Sequence, residues 1–239
     1  MNKLSVFLLM FSLGINVQAG VSTPSVDPVD PGVEVMEQPS SEPKAWYFQL
    51  DARPTFVESL EIDSIKRGLA TGPGEIDFDP GVAMGFTLGA NPLKYLAVEL
   101  QLSGSYNDID GLGDGYLVQA PITGNLRFEY PFTIFDQHEI VPFAGGGFGG
   151  TFITLQDIFF VNDQGGEVDG DGYKVVPLWQ VTAGVTYRFS ERWYAKVAYL
   201  YQETFDLDVL WGGLGAQSSR LEVGELGTHS VNVSFGFNF

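Results

Sequence analysis

The sequence predicts an all-β protein: an eight-stranded antiparallel up-and-down transmembrane β-barrel, preceded by a signal peptide and a disordered linker. Three observations carry this expectation. The composition suits strands and turns, with 30 Gly and 14% aromatics against 18% charged residues. From Trp46 onward, long stretches alternate apolar and polar side chains with a period of two. The connections between them alternate short and long, so all the long ones fall at one end of the sheet.

Residues 1–19 read as an export signal. Met1-Asn2-Lys3 is a short positive start, Leu4 to Val17 is an apolar stretch, and Val17-Gln18-Ala19 has the small-x-small form of a cleavage site, placing the cut after Ala19. Gly14 and Asn16 interrupt the apolar stretch, which falls short of the roughly 18 to 20 residues a spanning helix needs. Residues 20–44 carry Pro24, Pro28, Pro31, Pro39 and Pro43 among Ser, Asp and Glu without an amphipathic period, an extended periplasmic linker.

The barrel is expected over 45–239, with strands near 45–56, 78–90, 93–106, 116–130, 140–155, 173–189, 193–205 and 228–239. In the fourth, Tyr116, Val118, Ile122, Leu126 and Phe128 share one face and Gln119, Thr123, Asn125, Arg127 and Glu129 the other. The last, VNVSFGFNF, alternates to its final residue. Gly89-Ala90-Asn91-Pro92 and Ser190-Glu191-Arg192 read as tight turns and Phe132 to Glu139 as a moderate one. The segments near 57–77, 107–115, 156–172 and 206–227 read as long, mostly acidic and Gly-rich loops.

Alternation leaves open which way the apolar face points, since a soluble barrel shows the same period. Length separates the cases first: strands of a dozen or more residues exceed the roughly 5 to 6 of globular sheets and reach the roughly 9 to 11 that cross a bilayer. Volume separates them next. An eight-stranded barrel has an interior just wide enough for side chains to fill, too narrow for this set of Phe, Trp and Tyr. The opposite face, with Gly85, Gln101, Ser105, Asn125, Asn232 and Ser234, suits a narrow polar lumen. Third, Trp46, Tyr106, Tyr116, Tyr130, Phe189 and Trp193 gather at expected strand ends, as interfacial girdles do. The apolar face is therefore expected to meet lipid, and closure follows because hydrocarbon cannot satisfy a free strand edge.

The QAPITGNLRFEYPF strand, the VPFAGGGFGG strand opening, the VTAGVTYRFSERW hairpin and the terminal Phe carry a resemblance over 45–239. The chain resembles the small eight-stranded outer-membrane barrels of the OmpA-like transmembrane and opacity-protein type. The resemblance implies the cell outer membrane, contact with its lipid and lipopolysaccharide, and Phe235, Phe237 and Phe239 as the signal read by the barrel-assembly machinery. Cell-wall tethering, which full-length OmpA-like proteins owe to a further domain, is not implied.

The remaining motifs argue mostly against chemistry. Net charge is −18 with a pI near 4.2, which excludes a nucleic-acid partner. Gly145 to Gly150 satisfies G-x-G-x-x-G but runs into Thr151-Phe152-Ile153-Thr154, a strand where a dinucleotide site needs a helix, so no cofactor is expected. Asp108, Asp110 and Asp114, and Glu167, Asp169 and Asp171, read as solvated turns, with loose divalent-cation contact at acidic loops the alternative; the position twelve on from Glu167 is Leu178, where a calcium loop needs Glu. His229 is followed directly by Ser230, so on a strand the two point to opposite faces and share no proton; His138 sits on the short-connection side. An enzyme is not expected. On the lumen face Asp51, Arg53, Glu99, Arg127, Glu129, Arg188 and Lys196 occupy five strands, a salt-bridge plug or, alternatively, a narrow ion path gated by those pairs. The function expected is structural or surface-interacting, with a narrow porin-like channel second.

Overall fold

A computed structural model describes residues 46–66, 74–110, 115–135, 138–161, 167–205, 207–212 and 219–239; the expected signal peptide and linker lie outside them. The described residues form thirteen strands in chain order: β1 (Trp46–Val57), β2 (Leu60–Lys66), β3 (Gly74–Ile76), β4 (Gly81–Leu93), β5 (Leu96–Asp108), β6 (Tyr116–Glu129), β7 (Phe132–Phe135), β8 (His138–Val161), β9 (Glu167–Arg188), β10 (Trp193–Thr204), β11 (Leu207–Gly212), β12 (Ser219–Val223) and β13 (Gly227–Asn238).

Eight of them close a barrel. Antiparallel pairing runs β1–β4–β5–β6–β8–β9–β10–β13 and back to β1. At the seam the Phe239 amide donates to the Trp46 carbonyl at 2.8 Å and the Trp46 amide to the Phe239 carbonyl at 3.3 Å, so the last strand seals the first. Paired residues followed around the wall from Tyr47 pass Gly89, Glu99, Asn125, Gly147, Gln180, Gln202 and Thr228, then return to β1 at Val57 rather than Tyr47. A shear of ten on eight strands, with ~4.8 Å between strands and ~3.3 Å rise per residue, tilts the strands by about 40° around a backbone radius of about 8 Å.

Burial alternates along the strands as the sequence predicts. In β1, Gln49, Asp51, Arg53 and Thr55 are buried while Phe48, Leu50 and Phe56 are exposed. Ile122, Phe128, Phe148, Val197 and Val233 are likewise exposed on other strands. A soluble domain does not leave a continuous outer belt of this kind in water.

Two expectations about connections change. The tight turn falls at Lys94-Tyr95 rather than at 89–92: the strand carries through Asn91 and Pro92, at the cost of a register irregularity between Ala90 and Leu93. Gly, Asn and Pro favour turns, but here they sit on a wall whose cross-strand pairing wins. The long connections are also less loop-like than expected. β8 and β9 run on as a hairpin to Val161 and Glu167, and β3, β2, β12 and β11 pair in that order onto the upper part of β9. Their sequences carry strand formers such as Ile62, Ile65, Val209, Trp211 and Val223, which the acidic and Gly content masked.

Candidate functional site

Charged groups from several strands converge in the lumen, and their centre is Arg127 on β6. Its Nη1 lies 3.0 Å from Glu99 Oε1 on β5, and its Nη2 lies 3.4 Å from Glu129 Oε2 and 3.3 Å from the Tyr47 hydroxyl. The Tyr47 hydroxyl donates to Glu99 at 2.8 Å, and the guanidinium carbon stands 4.8 Å from the Phe143 ring centre. Glu129 also meets Arg188 at 3.5 Å and the Asn91 amide, and Arg188 reaches Glu139 at 3.0 Å. Lys196 sits 5.5 Å from the Phe143 ring centre, in the field of Glu99 and Asp51. Arg53 stands 3.9 Å from Asp51 and donates to Ser103 at 2.8 Å. The seven lumen charges named from the sequence therefore lie together on the inner face, at the short-turn end and in the middle of the barrel.

An amide layer crosses the middle. Gln180 Nε2 lies 2.6 Å from Asn125 Oδ1, 2.9 Å from Gln101 Oε1 and 3.0 Å from Thr123 Oγ1, and Gln202 donates to Gln180 Oε1 at 2.7 Å. Above it, toward the long connections, the lumen turns apolar. Leu117, Ile153, Leu155 and Val176 point inward from the wall and pack with Leu60, Ile76, Ile109 and Leu226 from the connections, with Val57 and Phe78 against them. A lumen polar throughout was expected, and this cap corrects it, as do Tyr47, Phe143 and Tyr194 pointing inward at the other end. Strand parity was the available signal, because all the wall residues among these occupy inward positions in the same two-residue alternation.

The glycine run 145–150 lies within β8. A Cβ on Gly149 would stand 1.9 Å from the Ile122 carbonyl oxygen, so this glycine lets β6 and β8 approach; no phosphate-binding turn exists here. Asp108 accepts from the Tyr106 hydroxyl at 2.7 Å. Asp114 lies outside the described residues, as do the side chains of Glu167, Asp169 and Asp171, and among the described residues no group of three or more His, Asp or Glu could hold a metal.

On the outer wall His229 and Ser230 point to opposite faces: Ser230 is buried inward, while His229 Nε2 lies 2.7 Å from Glu58 and Nδ1 meets the Tyr199 hydroxyl. Glu58 as the partner of His229 was not foreseen, since 171 residues separate them and only barrel closure brings them together. His138 stacks on Tyr187 and bonds its hydroxyl at 3.0 Å. At the closing strand Phe235 and Phe239 are exposed, with the Trp193 ring 5.1 Å from Phe235 and 4.9 Å from Phe237.

No family model matches the chain, and no curated protein matches it by sequence. Solved structures do match. The outer membrane protein OprG from Pseudomonas aeruginosa aligns with a TM-score of 0.54 at 17% identity, over 82% of this chain and 96% of that one. The outer membrane protein AlkL, determined in lipid bilayers, gives 0.54 at 14% identity, over 94% and 97%. The fold is that of the small eight-stranded outer-membrane β-barrels. Neisserial surface protein A extends the agreement, with 0.50 at 12% identity over 82% of this chain and 99% of its own. With its exposed apolar belt and closed wall, this barrel belongs in the cell outer membrane.

Proposed function

We propose that the protein is a non-enzymatic outer-membrane barrel with a sealed lumen, serving a structural or surface-interaction role through its acidic extracellular connections. The observation that carries this reading is the filled lumen: an ion-paired and amide-bridged lower part under an apolar cap. Eight strands leave no aqueous channel unless side chains withdraw. The protein is accordingly silent in planar bilayers; reproducible open steps would select the second reading, a narrow channel for small solutes, which the charged inner face favours. An unchanged lipid A mass spectrum on overexpression is expected of a non-enzyme.

Two partners follow from this setting. The barrel-assembly machinery reads the closing strand, so Phe239→Ala lowers the fraction of chain that runs as folded barrel on unboiled gels of the outer membrane; a yield equal to wild type removes that role. Acidic connections, among them Asp77, Asp79 and Asp110, face lipopolysaccharide phosphates and share divalent cations with them. EDTA then lowers the melting temperature in lipopolysaccharide-containing membranes and Mg²⁺ restores it, whereas an unshifted transition removes the cations.

A further inference from the structure

One patch of the outer wall, near its extracellular end, carries carboxylates among aromatic rings. Trp179 on β9, Tyr199, Tyr201 and Glu203 on β10, His229 on β13 and Glu58 just past β1 share the outer face of four neighbouring strands. His229 lies ten residues before Phe239 on the closing strand. At ~3.3 Å per residue and a tilt of about 40°, the patch stands about 25 Å above the periplasmic rim, the height of an outer-membrane apolar band and so the level of the outer-leaflet headgroups. The rings run in a row, with the Tyr201 ring centre 5.5 Å from Trp179 and 4.9 Å from His229. Two carboxylates are fixed beside them. The Tyr201 hydroxyl donates to Glu203 at 2.5 Å, and His229 meets Glu58 through Nε2 at 2.7 Å and the Tyr199 hydroxyl through Nδ1. The Glu58 amide donates to the Gly227 carbonyl at 2.9 Å, and a Cβ on Gly227 would stand 2.1 Å from Glu58 Oε2, so glycine here lets the carboxylate lie against the seam. Glu58, Glu203 and Glu225 all act electrostatically on the Tyr201 hydroxyl, so negative charge converges at the rings.

We infer that this patch binds an outer-leaflet lipid whose headgroup carries a primary ammonium. A carboxylate on a lipid-facing wall is costly without a counter-charge. Among the described residues His229 is the one basic group within ion-pair distance of Glu58, and Glu203 is met by the neutral Tyr201 hydroxyl. Aromatic faces attract ammonium groups, and carboxylates accept their N–H bonds, so the patch complements a cation able to make both contacts. The nitrogen sits over the Trp179 and Tyr201 rings and donates to Glu203 and Glu58. Beneath the rings the same strands turn Val181, Val197 and Val231 outward and exposed, a surface for the acyl chains of the same molecule. A headgroup with a phosphate and no amine is repelled by the carboxylates that hold the ammonium. The inference rests on the lipid-facing wall and is independent of whether the lumen conducts.

The chain holds four tryptophans, Trp46, Trp179, Trp193 and Trp211, of which Trp179 lies in the patch and Trp193 at the periplasmic rim. Two single-tryptophan proteins, with the other three changed to Phe, report on these two places through quenching by lipids brominated in their chains. Dibrominated phosphatidylethanolamine and dibrominated phosphatidylglycerol are each diluted into phosphatidylcholine vesicles, in EDTA so that no divalent ion bridges phosphate to carboxylate. At Trp179 the phosphatidylethanolamine binds about ten-fold more strongly than the phosphatidylglycerol, the scale of one hydrogen bond to an ionised group. At Trp193 it has no such preference, and Glu58→Gln/Glu203→Gln removes the preference at Trp179. No preference at Trp179, the same preference at both tryptophans, or a preference that survives the two glutamines overturns the inference. Heat-modifiable gel mobility establishes that each variant is folded. If the single-tryptophan proteins fail that test, native mass spectrometry of the unaltered chain from micelles holding both lipids decides: one retained phosphatidylethanolamine supports the site, and equal retention of the two lipids overturns it.

Discussion

Replacing Arg127 by methionine destabilises the barrel by about 3–5 kcal/mol, the cost of leaving buried charges without their partner. The side chain sits between two carboxylates, with Glu99 at 3.0 Å and Glu129 at 3.4 Å, and all three are almost fully buried. Methionine fills much of the same volume, so the loss measures uncompensated charge rather than a cavity. Glu129 keeps Arg188 at 3.5 Å, whereas Glu99 is left with the Tyr47 hydroxyl and the field of Lys196, so Glu99 bears most of the penalty. Adding Glu99→Gln therefore recovers part of the stability, since a neutral amide costs less to bury than an unpaired carboxylate. Urea unfolding in lipid vesicles, followed by the shift between folded and unfolded gel bands, reads both variants. A single substitution within about 0.5 kcal/mol of wild type, the range of an unremarkable surface change, would show that the network is hydrated enough to do without Arg127.

Val233→Arg destabilises the barrel in bilayers by about 2–4 kcal/mol, the cost of a basic side chain on the lipid face near the midplane. Val233 lies in the middle of β13, 56% exposed, paired with Ala52 on one side and Val197 on the other. Such exposure normally predicts tolerance, and in water an arginine here would change stability by about 0.5 kcal/mol or less. The size of the effect therefore depends on the solvent that the wall meets. The same change at Phe239, at the rim, costs about 0–1 kcal/mol because arginine snorkels to the headgroups. Equal and small effects at both positions would contradict a lipid-facing wall.

Much of the architecture was legible because a barrel repeats one rule. Period-two alternation in Tyr116 to Glu129 and Val231 to Phe239 assigns inside and outside residue by residue, and the short turns order the strands. The lumen charges were legible for the same reason: Arg127 and Glu129 fall on the inward parity of a strand whose other face is Ile122, Leu126 and Phe128. Partners were less legible. Parity puts Arg127 inside, but only the register of β5 against β6 and the tilt of the wall put Glu99 and Tyr47 within reach of it. Glu58 and His229 meet only because the ends of the chain close on each other. The apolar cap was read past for a different reason. Leu117, Ile153, Leu155 and Val176 look like ordinary strand residues, and their inward direction gains meaning only once Leu60, Ile76, Ile109 and Leu226 arrive from connections that composition marked as loops.

Lipid is the solvent of the outer wall, and the wall is closed. Fractionating cells and running the protein with and without boiling tests it directly. The protein is recovered in the outer-membrane fraction, with the unboiled band migrating ahead of the boiled one because the closed barrel resists detergent. Recovery in the soluble periplasmic fraction with the same mobility before and after boiling would contradict it.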